Sequence, residues 1–465
     1  MPELLLTHGY FMYEDPKELQ VLKPYAPLGI LYLCSHLRAK GFDVDVFDTT
    51  FATRDLLFQH LRSEQPAVLG VYANLMTRRN VLDILRVAKQ ARWTTVVGGP
   101  EPGAYAQEYL ASGADFVVFG EGELAMEELL EAFRAGASDS VGRIAGLAFL
   151  DADGVMRQTG LRAQIPDLDA QPWPAREAID IDRYVGIWRD AHGQGSVSFI
   201  TARGCPYKCR WCSHQVFGLS HRRRNPVLVV DEVEWLVERY APDMAWVADD
   251  VFTIHHGWVR AYAAEMKRRD LRLPFECISR ADRLNEEVLD LMAELGCFRM
   301  WIGSESGSQR ILDAMERGVR VEQVQKATEL CRQRGIQSGM FLMWGYEGEE
   351  LTDIDATIEH VKRARPDVFL TTVAYPIKGT PYYRQTKDRL VELNAWGDSS
   401  DRELKIRGRH SRDFYQHADR LLRDEVALST IVNRDMTDAQ GVADLQSRIR
   451  ATREALASTY AEVEA

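Results

Sequence analysis

At 465 residues the chain is too long for one ordinary core, so two or three domains are expected, and 46% hydrophobic with 27% charged residues is the composition of a globular enzyme. A net charge of −12 argues against a broad nucleic-acid footprint, which needs clustered positive charge. No stretch approaches the ~20 apolar residues of a membrane helix, so no membrane insertion is expected.

Residues 1–134 alternate short strands with amphipathic helices. Residues 1–9 are apolar but short and lack basic residues, so they read as a first strand and not as a targeting peptide. Further strands fall at 43–48, 67–72, 94–97 and 115–119. Helices fall at 27–41, where Gly41 is the stop signal, and at 81–91, 104–112 and 124–135. This alternation predicts a parallel, doubly wound sheet with ligands beyond the C-terminal strand ends. Glycines cluster at those ends, as Gly98-Gly99-Pro100 and Gly120-Glu121-Gly122-Glu123, where they permit close backbone approach. Residues 135–195 carry an apolar run at 144–150, a turn at 151–154 and a Pro/Asp-rich stretch ending at Pro174, and read as a linker.

A strand at 196–201 then delivers Thr-Ala-Arg-Gly-Cys-Pro-Tyr-Lys-Cys-Arg-Trp-Cys, with Cys205, Cys209 and Cys212 spaced C-x3-C-x2-C. Such a loop can place three thiolates on three corners of a [4Fe–4S] cube, whose full protein set is four. The iron left without a sulfur keeps an open position, as catalytic metal sites do. Two alternatives are structural zinc, with His214 as a crowded fourth ligand, and a disulfide, which the lack of a secretory signal disfavours. Cys34, Cys277, Cys297 and Cys331 stand alone and read as small core residues of a protein in a reducing compartment. The basic run His221-Arg222-Arg223-Arg224 is either a solvated loop or a clamp for an anionic group.

Alternation resumes over 196–385. Strands are placed at 244–248, 275–278, 299–302, 338–343 and 368–374, and helices at 229–240, 258–268, 286–295, 321–334 and 351–364. Six β/α units suggest a partial (β/α)6 barrel with its chemistry at the C-terminal mouth. Residues 386–465 lose the strand pattern; helices at 404–428 and 436–464 predict a C-terminal module that covers the mouth or forms an interface.

The cysteine spacing, with Trp211 before the third thiol, resembles the signature of the radical S-adenosylmethionine (SAM) superfamily. The N-terminal segment, through Pro27-Leu-Gly-Ile30, Gly98-Gly-Pro100 and Asp115-Phe-Val-Val-Phe-Gly-Glu-Gly-Glu123, resembles the cobalamin-binding domain fused to many such enzymes. It departs from the wider cobalamin pattern in lacking D-x-H-x-x-G and in carrying Glu101 where many relatives have histidine. The resemblance implies a [4Fe–4S] cluster on Cys205, Cys209 and Cys212, with SAM contacted by Trp211, Asp249, Asp250, Ser279, Arg280, Glu305 and Ser306. It implies cobalamin at the loops 7–10, 72–78, 98–103 and 120–123, including Asn74, Thr77, Gly98, Gly99, Gly120 and Glu121. Gly345-Tyr-Glu-Gly-Glu349 resembles the family's G-x-P-G-E loop with Glu347 in place of proline, and Tyr375-Pro-Ile-Lys-Gly-Thr-Pro381 a strand-end motif near the adenine. The implied reaction cleaves SAM reductively to a 5′-deoxyadenosyl radical and, with cobalamin, methylates an unactivated carbon of a small molecule. A flavodoxin- or ferredoxin-type electron donor and a cytoplasmic location go with it. The alternatives are a cyclase of the anaerobic magnesium-protoporphyrin ester type and a non-catalytic cobalamin or redox sensor.

Overall fold

The computed structural model describes residues 2–433, 439–461 and 463. Strands β1 (Leu4–His8), β2 (Val44–Phe47), β3 (Val68–Tyr72), β4 (Thr94–Gly98) and β5 (Phe116–Val118) pair in parallel in the order β2-β1-β3-β4-β5. Alternation along β1 shows why both faces are covered: Leu4 and Leu6 pack under helices Leu28–Ala39 and Glu123–Arg134, while Leu5 packs under Arg54–Ser63 and Arg78–Gln90. The order reverses between β1 and β3, the switch point at which open α/β sheets hold ligands.

Residues 135–195 are more than a connector. Strands β6 (Leu147–Leu150) and β7 (Met156–Gln158) add antiparallel to β5 and extend the first sheet to seven strands. Buried Leu147 and Ala148 explain the addition, because they cover an apolar edge that β5 would otherwise expose. Helix Ile181–His192 follows, capped by Asp180 and closed by Gly193 at φ +75°.

The second sheet contains β8 (Ser196–Phe199), and a short antiparallel ladder of β9 (Ala202–Arg203) with β10 (Arg222–Arg223) brackets the cysteine loop. Then come β11 (Met244–Val247), β12 (Phe275–Ser279), β13 (Cys297–Glu305), β14 (Gln337–Trp344) and β15 (Val368–Val373). With β8 they run parallel in sequential order, β8-β11-β12-β13-β14-β15. Alternate residues Val197, Phe199, Ala245, Val247, Phe275 and Cys277 face the outer helices and form the largest core with them. The other set faces inward, and the result is the open, six-stranded half-barrel expected from the six β/α units.

Helices Arg412–Asn433 and Ala439–Thr459 pack through Phe414, Ala418, Leu421 and Ile449 on Ile354, Ile358 and Val361 of helix Leu351–Ala364. They lie against the outside of the half-barrel. The first begins at Arg412, because residues 401–411 hold a turn and the strand Lys405–Ile406, paired with Leu390–Val391. Positions 436–438, 462 and 464 of the second expected helix lie outside the described residues. No helix among the described residues is long and apolar enough to cross a membrane.

Candidate active site

The C-terminal ends of the two sheets face each other, and buried ion pairs hold them there. Arg203, two residues before Cys205, spreads one guanidinium across Glu121 (2.8 Å) and Glu123 (2.7 Å) of the loop after β5. Arg222 reaches the other Glu121 oxygen at 2.7 Å, and the same oxygen accepts from Ile165 N at 2.8 Å. On the far side Arg78, after β3, bonds Glu101, after β4, and Asp401 (2.7 Å). Tyr105 donates to Asp401 at 2.7 Å, and Lys378, after β15, reaches Glu108 at 2.7 Å.

These contacts settle where several charged motifs go. Both Glu121 oxygens are committed to the domain interface and face no open space. The basic run is neither solvated nor an anion clamp: Arg222 holds Glu121, Arg223 donates to Phe252 O (2.6 Å) and Thr201 Oγ1 (2.9 Å), and Arg224 pairs with buried Glu232. Buried guanidiniums need such partners, and the fold provides them from elements far away in sequence.

The cysteine loop lies at the half-barrel's mouth between these clasps. Arg210 N donates to Met315 O at 3.1 Å and Arg210 O accepts from Tyr382 N at 2.9 Å, which anchors the loop's middle. Cys209 is buried, Cys205 is partly covered and Cys212 is open to solvent. Although its edge reaches solvent, Cys212 sits in a crowded mouth, where desolvation by the surrounding protein, then the neighbouring Cys209, Asp250, Cys205 and Glu305, push its thiol up to about 12; desolvation also raises Cys205. The mouth thus gathers thiols and carboxyls whose charged forms would repel one another, which favours their protonated forms until metal binds. Among the described residues no three Cys, His, Asp or Glu side chains converge on a single-ion site. A cuboidal cluster takes each thiolate at a separate corner, and metal binding drives off the thiol protons, so the donor set fits an iron–sulfur cluster. His214 Nε2 is buried and has no hydrogen-bond partner.

The strand ends divide into groups that build the mouth and groups that face it. Asp249 is buried and accepts from Thr201 N (2.7 Å), Ala202 N (3.0 Å) and Thr201 Oγ1 (2.5 Å), tying β11 to β8. Its neighbour Asp250 is solvent-accessible within a crowded concavity, where burial and then Asp249 raise its carboxyl. Ser279 Oγ pairs with Thr253 Oγ1 at 2.5 Å, and Ser306 Oγ with Thr357 Oγ1 at 3.2 Å, so both hydroxyls hold loops in place. Arg280 is also committed, to Asp282 (2.9 Å) and Arg317 O (2.8 Å). Trp211 packs partly buried beside Tyr346 and Tyr382.

Glu305 is placed differently. The β13–β14 register shifts between Gly303 and Glu305, and Glu305 sits at φ +63°, a conformation unfavourable to a side chain with a Cβ. Such strain re-aims a side chain, here into the mouth, where burial raises the carboxyl and Arg317 then lowers it. The alternating strand pattern in the sequence gives no sign of this bulge.

In the N-terminal sheet the glycines remain open. A Cβ on Gly98 would meet only Val118, at 3.8 Å, so protein packing does not demand glycine there and its bare backbone leaves a cradle at the strand end. Gly99 is different: at φ +121° its Cβ would lie 2.3 Å from Ala73 O. A Cβ on Gly120, at φ +82°, would meet only Val216 O, at 3.9 Å. Asn74 Oδ1 accepts from Met76 N (2.9 Å) and Thr77 N (3.1 Å), and Thr77 Oγ1 accepts from Asn74 N (3.1 Å), so the two shape their own loop. These glycines lie at the C-terminal ends of β4 and β5, beside the switch point, and Gly120 approaches Val216, just past the cysteine loop.

Residues 199–361 match the model of the radical SAM superfamily, and residues 19–130 that of the B12 binding domain. An uncharacterized methyltransferase of Pyrococcus horikoshii is 29% identical over 365 residues, covering 76% of this chain and 77% of that one. An anaerobic magnesium-protoporphyrin IX monomethyl ester cyclase of Rubrivivax gelatinosus is 26% identical over 377 residues, covering 79% and 67%. Among solved structures, the radical S-adenosylmethionine methyltransferase TsrM from Kitasatospora setae, with cobalamin and a [4Fe–4S] cluster bound, superposes with a TM-score of 0.68 at 20% identity over 83% of this chain and 75% of that one, a likeness of fold. The chain belongs to the radical SAM enzymes that carry a B12-binding domain, whose cofactors are a [4Fe–4S] cluster, S-adenosylmethionine and cobalamin.

Proposed function

We propose that this enzyme methylates an unactivated carbon of a small molecule in the space enclosed between its two sheets. The observation that carries the reading is the ion-paired apposition of the strand ends carrying Gly98 and Gly120 to the strand end that delivers the Cys205–Cys212 loop. In this reading a methyl carrier on one side and a substrate in the half-barrel on the other meet across that seam. Methyltransferases among the relatives support it, including a cytidylyl-2-hydroxyethylphosphonate methyltransferase of Streptomyces wedmorensis at 25% identity.

When bound, the cluster and SAM supply the 5′-deoxyadenosyl radical, and cobalamin supplies the methyl group. The chain's residues hold and shield these groups. Cys205, Cys209 and Cys212 grip three corners of the cluster. Asp250 and Glu305, the two acids left facing the mouth, take the cationic end of SAM, while Asp249, Ser279 and Ser306 fix the loops that present them. Gly98, Gly99 and the backbone of loop 72–78 seat the cobalamin ring, and the clasps through Arg203 and Arg78 exclude water from the gap. A flavodoxin- or ferredoxin-type protein delivers electrons, in a reducing cytoplasm suited to an oxygen-sensitive cluster.

Relatives that are ester cyclases favour one second reading, a cobalamin-dependent cyclisation. Reconstitution with iron, sulfide and hydroxocobalamin, followed by reduction and SAM, separates the two. Methylation yields both 5′-deoxyadenosine and S-adenosylhomocysteine once a substrate is present; cyclisation yields only the first. S-adenosylhomocysteine absent across every turnover of substrate would refute the methylation reading.

A further inference from the structure

Two buried guanidiniums converge on one thiol of the cysteine loop. Arg317 Nη1 lies 3.7 Å from Cys209 Sγ and Arg280 Nη1 lies 3.9 Å from the same atom. Neither can easily turn away. Arg280 is stacked 3.6 Å over the Tyr207 ring and bonded to Asp282 and Arg317 O, and Arg317 Nη2 donates to Gly303 O at 2.9 Å. Arg317 Nε is buried without a hydrogen-bond partner, and the nearest carboxylate oxygen, on Glu305, is 3.7 Å away. Arg317 therefore carries a charge only loosely balanced by an acid, fixed against the sulfur. Among the described contacts the N–H···S pair is particular to Cys209: Cys205 feels Arg280 only at longer range, and no such cation lies against Cys212.

We propose that Arg280 and Arg317 are positioning residues that tune the cluster: their N–H···S contacts and charge at the Cys209 corner raise its reduction potential. The inference rests on the reading of Cys205, Cys209 and Cys212 as cluster ligands. Reduction adds one negative charge to the cluster, and fixed positive charge at short range in a poorly solvated site stabilises the reduced state over the oxidised one. Hydrogen bonds to a ligating sulfur withdraw electron density in the same direction. The Cys209 corner is thereby made electronically distinct from the other two, and reduction by a modest donor becomes easier.

The test is an EPR-monitored redox titration of the anaerobically reconstituted full chain, with iron and sulfide content measured in parallel. Arg317→Gln is expected to assemble the cluster and to lower the reduced-to-oxidised ratio at fixed potential about tenfold, a midpoint about 59 mV more negative for one electron. Arg317→Lys retains the charge but loses the fork, and its midpoint is expected between the two. Should Arg317→Gln fail to fold, Arg317→Lys carries the test alone, with a smaller negative shift expected. A loaded variant with the wild-type midpoint overturns the proposal. A wild-type chain that takes up no cluster overturns the ligand assignment beneath it, and iron analysis tells that failure from the first.

Discussion

Glu121→Gln is the sharpest test of how the two domains are joined. Glu121 is one of the most deeply buried acids of the interface, and its oxygens accept from Arg203 (2.8 Å), Arg222 (2.7 Å) and Ile165 N (2.8 Å). The amide retains one acceptor and presents N–H groups to a guanidinium. Arg203 still has Glu123, but Arg222 loses its only carboxylate and retains only Ile165 O (2.7 Å) and Ser220 Oγ (3.2 Å). Removing one partner of a buried pair costs about 3–5 kcal/mol, and the surviving neutral bonds place this case near about 3. Calorimetric melting should then fall by about 6–12 °C for a unit of 150–250 residues. Hydroxocobalamin affinity, titrated where both proteins are folded, should change by less than about threefold, about 0.6 kcal/mol. Adding Arg222→Met should recover part of the loss, since it removes the stranded cation. An unchanged melting temperature together with a large loss of cobalamin affinity would refute the interface role and return Glu121 to the cofactor.

The two adjacent acids after β11 should separate cleanly: Asp249→Asn keeps one acceptor for Thr201 N and Ala202 N but turns an amide NH2 on Thr201 Oγ1 and on buried Arg223 (3.4 Å), and destabilises the chain by about 2–3 kcal/mol in urea. Asp250→Asn should leave stability within about 0.5 kcal/mol and weaken SAM binding to the reconstituted protein about tenfold by calorimetric titration. Gly98→Ala should fold, since its Cβ meets only Val118 at 3.8 Å, and weaken hydroxocobalamin binding; Gly99→Ala should not give a folded N-terminal domain, since its Cβ collides with Ala73 O. Cys209→Ala should abolish the brown cluster chromophore while hydroxocobalamin still binds. Burial pushes Glu349 up to about 8 from an ordinary 4.5, so the folded chain holds a proton there that the unfolded chain releases between those values. Stability should therefore fall with rising pH across that window, by up to about 1.4 kcal/mol per unit, and Glu349→Gln should flatten the slope in melts from pH 5 to pH 8.

Periodicity carried most of the fold. Leu4-Leu5-Leu6, Val68–Tyr72 and Thr94–Gly98 are buried runs that read as central parallel strands, and the six later strands are legible for the same reason. The cysteine loop was legible because its ligands are local, within eight residues. What sequence could not supply was the partner of each charge. Glu121 meets Arg203 across 82 residues and Arg78 meets Asp401 across 323, distances at which spacing carries no information. Hence the motifs at 120–123 and 221–224 look like ligand sites in isolation, but Glu121, Glu123 and Arg222 hold one domain on the other while Arg223 and Arg224 brace the half-barrel itself. Glu305 was hidden in another way, since a bulge changes where a side chain points without changing the residues around it. Strands β6 and β7 were missed because a short antiparallel edge is specified by the sheet it covers more than by its own three or four residues.

Buried ion pairs are weak evidence for stability, since apolar residues of similar volume often replace them without loss. Their presence here has to be explained by geometry. A purely apolar interface between the two sheet ends would tolerate sliding by a side chain's width. One guanidinium forked across Glu121 and Glu123 at 2.7–2.8 Å tolerates much less. The clasps rise on two sides of the gap: the loop after β5 holds Arg203 and Arg222, while Arg78, Glu101 and Asp401 form a second cluster that Lys378 joins through its N–H to Asp401 and its Nζ to Glu108. Two anchor regions on opposite sides of the gap restrain rocking more than one would. This accounts for the division of labour in the glycine motifs: the acids of 120–123 face the other domain, and the bare backbone at Gly98 and Gly99 is where the proposed function seats cobalamin. It also makes the spacing of the two sheet ends a property of the clasps, so under that proposal a substrate and a methyl donor would be held at a set separation before either is present.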